Sequence, residues 1–473
     1  MRIFTTKAQF LRKFNQGGLY SFLSQNATEN ERRAAAFIRD NIRLVCGKLI
    51  PIVNDTQPAV ENEIVVGETN REKLDGLVIN RYRDNSSGGV WEYFIKTVET
   101  RLYLTGLGCP PESEGPYTSA YKHLDDGKIG TVMAAYHFVE DILGYDFLYG
   151  SYIDIPENPD IVIPDNYCYE FTKEALRAKD PVLFDGAAFY TLQGAEELHC
   201  NMGGMIFKSR DGKIAVIDGG RIPDTERFLR ILQKISGKEV PHVDAWLFSH
   251  MHTDHYGVYY TLCSNEKFRG KVTVGTFYSD LLTEEFYTKL AKEKVTDVHI
   301  IRSAMLSPDS PTGATVHTVK KGEKITVDEI EFEVIHVPDL AFADKMNMND
   351  SSVVYKMTYD DGQTMMLLGD AEWVCSNDLT ENCADKLKSD IVQVGHHGCG
   401  NVSAKCYEMI DADAYIWPVG EKFWYSDCGE GLNTHNTGVI RSRAYMMRKN
   451  PDLRNVYVVM DDILSSSLPM KIY

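Results

Sequence analysis

The sequence predicts an α/β protein of two domains, the second carrying a metal site along a sheet edge. Three observations lead there. A chain of 473 residues is longer than one ordinary hydrophobic core supports. Helical periods and short apolar strand runs alternate in its first part, and short strands ending in polar residues dominate the rest. Four of those later runs finish in a side chain able to bind a metal ion.

The first domain is expected over residues 1–155. "ENERRAAAFIRDNIRLVCGKL" has the period of an amphipathic helix, and "NEIVVGET" reads as a short buried strand closed by a glycine turn. "GTVMAAYHFVEDILG" reads as a helix of about four turns, ended by Gly144 just past its last residue. The stretch "SYIDIPENPDIVIPDN" then interrupts the pattern with prolines, which suit neither helix interiors nor central strands. A linker is therefore expected over 156–188 and the second domain over 189–473.

In the second domain "KIAVIDGG" ends in Asp218, "VDAWLFSH" in His250, "TMMLLGD" in Asp370, and "DIVQVGHHG" in His396 and His397. A sheet holds neighbouring strand ends about 5 Å apart, so side chains at these ends can converge. The densest segment is "HMHTDH", with His250, His252, Asp254 and His255 at fixed spacing. In extended backbone the alternate His250 and His252 point the same way, and Asp254 and His255 turn toward a second position beside the first. Imidazoles with carboxylates and no nearby cysteine suit zinc, with manganese or iron as substitutes, in a catalytic rather than a structural site. Asp370 is placed to bridge two ions.

From about residue 190 onward, "IDGG", "HMHTDH", "LLGD" and "GHHG" occur in an order that resembles the metallo-β-lactamase superfamily. Within it, "MNDSSVVYKM…TMMLLGD…IVQVGHHG" is similar to the metallo-hydrolase domain of competence-type DNA-uptake channel proteins. The resemblance implies a four-layer αββα sandwich preceded here by a smaller α/β accessory domain. It implies that His250 and His252 hold a first metal, Asp254 and His255 a second, and that Asp370 bridges them. His396 takes the place of the last histidine ligand, with His397 the alternative, and Asp218 supports the ligand loop without binding metal. Where many relatives have a further histidine, this chain has Asn349, so one or two zinc ions are expected. His336, in "EVIHVPD", is expected to be structural. His435, in "LNTHNTG", matches a histidine facing the active site in the competence-type branch, a proton donor or phosphate contact, the alternative being an exposed residue at a helix start; Asp254 and Asp370 are expected to orient the attacking hydroxide while holding the metals.

"NEIVVGETNRE" with the helix after it resembles the accessory domain preceding the barrel in α-glucuronidases and hexosaminidases. That implies a scaffold, or contact with a glycan-containing substrate. The implied activity is a metallo-hydrolase acting on a phosphate ester or phosphodiester, glycan-linked or not. The alternatives are a non-catalytic metal-containing glycan-binding protein and a competence-type nuclease.

The formal net charge of −18 counts against a long nucleic acid as partner and favours a small-molecule or glycan-containing one. No apolar run is long enough to span a bilayer, and the first residues lack the apolar core of a secretory signal. Ten scattered cysteines without a C-x-x-C pair suit a reducing, cytoplasmic setting. The oligomeric state is left open.

Overall fold

The computed structural model describes residues 11–13, 20–79, 92–107, 129–144, 146–149, 152–154, 162–195, 202–281, 285–287, 295–339, 341, 344–399, 402–420, 424, 455–460 and 462–472. The chain forms two compact units, the first ending at Leu176 and the second beginning at Arg177.

The first unit contains β1 (Leu11–Lys13), β2 (Tyr20–Leu23), α1 (Glu29–Cys46), β3 (Ile52–Asn54), β4 (Glu63–Val66), α2 (Arg71–Leu74), β5 (Tyr93–Val98), β6 (Arg101–Gly106) and α3 (Ile129–Asp141). It continues with β7 (Asp146–Tyr149), β8 (Tyr152–Asp154), β9 (Val162–Pro164), β10 (Cys168–Phe171) and α4 (Lys173–Ala178). Six strands form a sheet in the order β10-β5-β6-β4-β2-β3. Helix α1 starts where the sequence reading places it because Thr28 and Glu31 form a reciprocal capping box. The Glu31 carboxylate also accepts from the Glu68 amide at 2.9 Å. A side chain at Gly67 (φ +74) would sit 2.2 Å from that carboxylate, so the glycine after "EIVV" is required twice over.

Residues 162–176, inside the stretch expected as a linker, form part of this unit. β10 pairs antiparallel with β5, and Phe171 and Tyr169 pack on Tyr93 with ring centroids 5.4 and 5.9 Å apart. The aromatic face on β10 outweighs the break signalled by the prolines before it.

The second unit begins with β11 (Ala188–Leu192), β12 (Gly204–Lys208), β13 (Ile214–Asp218), α5 (Thr225–Ser236), β14 (His242–Leu247), α6 (Thr253–Ser264), β15 (Thr273–Ser279), α7 (Val295–Met305) and β16 (Thr315–Thr318). Next come β17 (Lys324–Val327), β18 (Ile330–His336), β19 (Val354–Tyr359), β20 (Thr364–Leu367), α8 (Trp373–Asn382), β21 (Ile391–Gln393), α9 (Ala404–Ile410), β22 (Ala414–Pro418), β23 (Val456–Val459) and β24 (Ile463–Ser467). They build two seven-stranded sheets, β16-β15-β14-β13-β12-β11-β24 and β17-β18-β19-β20-β21-β22-β23.

Strand alternation sets the layers. Ala215, Ile217, Ala245 and Leu247 of the first sheet join Phe332, Met357, Leu367 and Ile416 of the second in one apolar core between the sheets. Val216, Trp246 and Phe248, on the opposite face, pack with Phe228, Leu232 and Tyr259 of α5 and α6. In the second sheet, α8 and α9 connect the parallel strands β20, β21 and β22. Right-handed crossovers put both helices on one face, away from the inter-sheet core. The result is the αββα sandwich that the sequence resemblance implies. Both parallel halves send the carboxyl ends of their strands to one edge, where ligands collect in such sheets. No helix among the described residues is long and apolar enough to cross a membrane, and the cysteines among them are free thiols.

Candidate metal centre

Strand β13 ends in Asp218, held at φ +58 with its carboxylate turned toward the loop after β14. Its Oδ1 accepts from the Ser249 amide at 2.7 Å, and its Oδ2 accepts from the Ser249 hydroxyl at 2.8 Å. The same Oδ2 lies 2.8 Å from His255 Nδ1. An ionised carboxylate only accepts, so Nδ1 carries a proton and Nε2 is the nitrogen left to meet a metal ion. Helix α6 begins directly after His252, whose carbonyl accepts from the amides of His255 and Tyr256 at 2.9 Å each. Asp254 and His255 therefore ride on its first turn. Gly203 lies against His255, where a Cβ would stand 2.5 Å from the ring.

The second sheet supplies the opposing groups. Asp370 follows the tight turn at Gly369 (φ +56), and its amide donates to the Ser352 hydroxyl at 3.1 Å. Its two oxygens face different histidines. Oδ1 is 3.1 Å from His255 Nε2 and 3.4 Å from His397 Nε2. Oδ2 is 3.7 Å from His250 Nε2 and 3.9 Å from His396 Nε2. His397 Nδ1 lies 2.7 Å from the Pro418 carbonyl, which can only accept, so this ring too presents a bare Nε2. Two sets of donor atoms result, Asp254, His255, Asp370 and His397 in one, and His250, His252 and Asp370 in the other; within each set the atoms lie within 4.8 Å of one another.

A metal ion fits these residues on one physical ground. His255 Nε2, His397 Nε2 and Asp370 Oδ1 are buried and have no hydrogen-bond partner, although they converge. Buried polar atoms left unpaired cost about 1–3 kcal/mol each, so three facing one another are explained by a shared cation.

The charges respond to the same crowding. Burial pushes the His250 imidazole well below its ordinary value, helped by neighbouring His255. Burial acts the same way on His255, but Asp370 and Asp218 outweigh it and raise that imidazole well above the usual range. Asp370 is buried, which favours its neutral form, yet the surrounding His255, His397 and His396 hold it well below the carboxylate range.

The sequence reading prefers His396 to His397 as the last histidine ligand; it is His397 that stands in the donor group of Asp254. Both residues sit in left-handed backbone, at φ +46 and φ +52, so their rings diverge, with centroids 6.3 Å apart. His397 turns inward and is buried, whereas His396 Nδ1 lies 2.8 Å from Glu372 Oε1. Asn349, at the place of the expected further histidine, is in neither donor group; its amide donates to Glu372 Oε1 at 2.7 Å. His336 pairs through Nδ1 with Asp378 at 2.8 Å and is in neither group. His435 lies outside the described residues.

Sequence reasoning missed Arg221, whose Nη2 is 3.9 Å from Asp254 Oδ2. The backbone at 220–222 lies so close to α6 that a Cβ on Gly257 would be 2.3 Å from the Ile222 nitrogen. The signal was an arginine directly after the "IDGG" turn. Glu372 was missed as well, two residues after Asp370, and the next residue, Trp373, is 58% exposed.

No family model matches the sequence, and no curated protein matches it. Among solved structures, the metallo-β-lactamase-fold protein YhfI from Bacillus subtilis is 13% identical, over 59% of this chain and 98% of that one, with a TM-score of 0.34. A diphosphatase of the PhnP family is 14% identical, over 60% of this chain and 100% of that one, at a TM-score of 0.33. Unliganded PDE1 from yeast is 10% identical, over 58% and 97%, at 0.34.

Proposed function

We propose that the second unit is a metal-dependent hydrolase, holding one or two zinc ions in the two donor groups, and that its substrate is a phosphate ester or phosphodiester. The observation that carries this reading is the convergence of three unpartnered buried atoms, His255 Nε2, His397 Nε2 and Asp370 Oδ1. Ions bound there would supply Lewis-acid activation of a water nucleophile and polarise an oxygen on the attacked phosphorus. The chain's residues set the stage for that chemistry. Asp218 fixes the tautomer and orientation of His255, and Pro418 does the same for His397. Asp370, with one oxygen toward each group, keeps the groups adjacent. Asp254 is half-buried, which favours its neutral form, yet the adjacent His397 and His255 imidazoles hold it below the ordinary carboxylate range. Mn or Fe suits the same donors.

The choice of a phosphate substrate rests on Arg221. Its guanidinium, 3.9 Å from Asp254 Oδ2, puts a positive charge beside the donor group, which favours a substrate with an anionic oxygen. The acidic net charge disfavours a long nucleic acid, so a small phosphodiester is the favoured form.

The test is elemental analysis of purified protein beside an Asp254→Ala variant, with turnover of bis(p-nitrophenyl) phosphate. About two ions per chain and measurable turnover are expected, with fewer ions and nearly all turnover lost in the variant. Equal turnover in the two proteins would refute the assignment.

A further inference from the structure

We propose that the two adjacent histidines of the "GHHG" turn are divided between the two donor groups: His397 completes the Asp254 group, and His396 completes the His250 group in place of the histidine that Asn349 replaces. This rests on the metal-binding reading above and assigns one more ligand of that centre.

The groups as they stand are unequal. One has four donors and the other three, with Asp370 counted in both. The oxygen of Asp370 that faces the smaller group is Oδ2, 3.7 Å from His250 Nε2, and the same oxygen lies 3.9 Å from His396 Nε2. The His396 ring is also prepared for the task. Its Nδ1 lies 2.8 Å from Glu372 Oε1, which leaves Nε2, 3.3 Å from Asn349 Nδ2 and 3.9 Å from Asp370 Oδ2, as the nitrogen to meet an ion. Glu372 is in turn held by two amides, Asn349 Nδ2 on Oε1 at 2.7 Å and Asn347 Nδ2 on Oε2 at 2.9 Å. A carboxylate behind an imidazole is the usual support of a metal-binding histidine. His255 has one in Asp218, and Pro418 serves His397. Asn349 is thus a positioning residue: it stands 3.3 Å from the His396 ring and fixes the carboxylate that orients it.

The backbone accounts for why two neighbours can serve two sites. Consecutive non-glycine residues in left-handed backbone are uncommon and strained. Here they are over-determined: the His396 amide donates to the Gly369 carbonyl at 3.1 Å, and Trp417 Nε1 donates to the His397 carbonyl at 2.5 Å. This conformation turns the two rings 66° apart, so one turn addresses both oxygens of Asp370.

The experiment is metal content per chain after dialysis, together with competition titration against a chromophoric chelator, on full-length protein. The variants are His396→Ala, His396→Gly, His397→Ala, Asn349→Ala and the double variant Asn349→His with His396→Ala. His396→Gly relieves the left-handed strain, so it keeps or raises the thermal midpoint of the metal-free protein while losing the ligand. The wild type should hold two ions, each single histidine variant one, and the double variant two again. Glu372→Gln should raise the dissociation constant of one ion about 10- to 100-fold. Two ions retained by both His396 variants would overturn the proposal. So would loss of an ion in Asn349→Ala but not in His396→Gly, since the unpartnered Asn349 Oδ1 would then be the ligand. If the wild type holds one ion that is lost in His397→Ala and kept in His396→Gly, the division between the groups is refuted while a mononuclear hydrolase stands. No ion in the wild type would refute both.

Discussion

Replacing Asp218 by asparagine tests the logic of the centre with almost no change in volume. The carboxylate accepts three hydrogen bonds in a buried position: the Ser249 amide on Oδ1, and the Ser249 hydroxyl and His255 Nδ1 on Oδ2. An asparagine has one oxygen to offer. With that oxygen toward Ser249 N, its NH2 meets His255 Nδ1, which must then become the acceptor and move its proton to Nε2, removing the lone pair from the centre. With the oxygen toward His255, the NH2 meets the Ser249 amide, and one buried donor is stranded at a cost of about 1–3 kcal/mol. Either outcome is measurable. The first lowers metal affinity about 10- to 100-fold, the usual effect of losing a ligand's support. The second lowers unfolding free energy by the stated amount with metal affinity kept. Chelator competition and urea unfolding of the metal-free protein, run on the same sample, separate them. If affinity stays within twofold and stability within about 0.5 kcal/mol, a level ordinary for surface changes, Asp218 does not act as described.

Gly203→Ala places a Cβ 2.5 Å from the His255 ring; overpacking of about 1–3 kcal/mol is expected, with a loss of metal affinity read in the same titration. Arg221→Gln should raise KM for bis(p-nitrophenyl) phosphate about 10-fold or more, the loss of a charge-assisted hydrogen bond, with metal content unchanged. Asp378 is drawn down to about 2 by its hydrogen bond to His336, with burial opposing and Asn382 assisting. A depressed carboxylate stabilises above its unfolded value and loses that contribution as pH falls through the folded one, here between about pH 4 and pH 2. Asp378→Asn should therefore be about 2 kcal/mol less stable than wild type at pH 5, and the gap should close near pH 2. An equal gap at both pH values would show that the ion pair contributes nothing.

The sequence made the centre legible where chemistry and spacing coincide. "HMHTDH" specifies four side chains at fixed intervals, and the strand ends at Asp218 and Asp370 place carboxylates where a parallel sheet gathers its ligands. Helix α1 was legible too, because its start is written in Thr28 and Glu31 and its end in Gly47. The direction of His396 and His397 was not, because their divergence is set by two positive φ angles that nothing in the letters "GHHG" reveals. Arg221 was hidden for a different reason. Its place beside Asp254 depends on the close approach of the 220–222 backbone to Gly257, a contact between distant stretches of chain. The strand at 168–171 escaped notice because the prolines before it are louder than the aromatic residues within it.

The origin of the donors has a mechanical consequence. His250, His252, Asp254 and His255 belong to the first sheet's strand ends, and Asp370, His396 and His397 to the second's. Between those sheets lies an apolar core, whose attraction has no preferred direction. A cation gripped from both sides acts as a rivet against shear, fixing a sliding coordinate that greasy contact alone leaves soft. Withdrawing it should loosen amide exchange at the ends of β13, β14, β20 and β21 together, as one cooperative unit spanning both sheets. By the same token, a change of volume deep in the core, at Met357 for instance, would be felt as a change of bite at the edge.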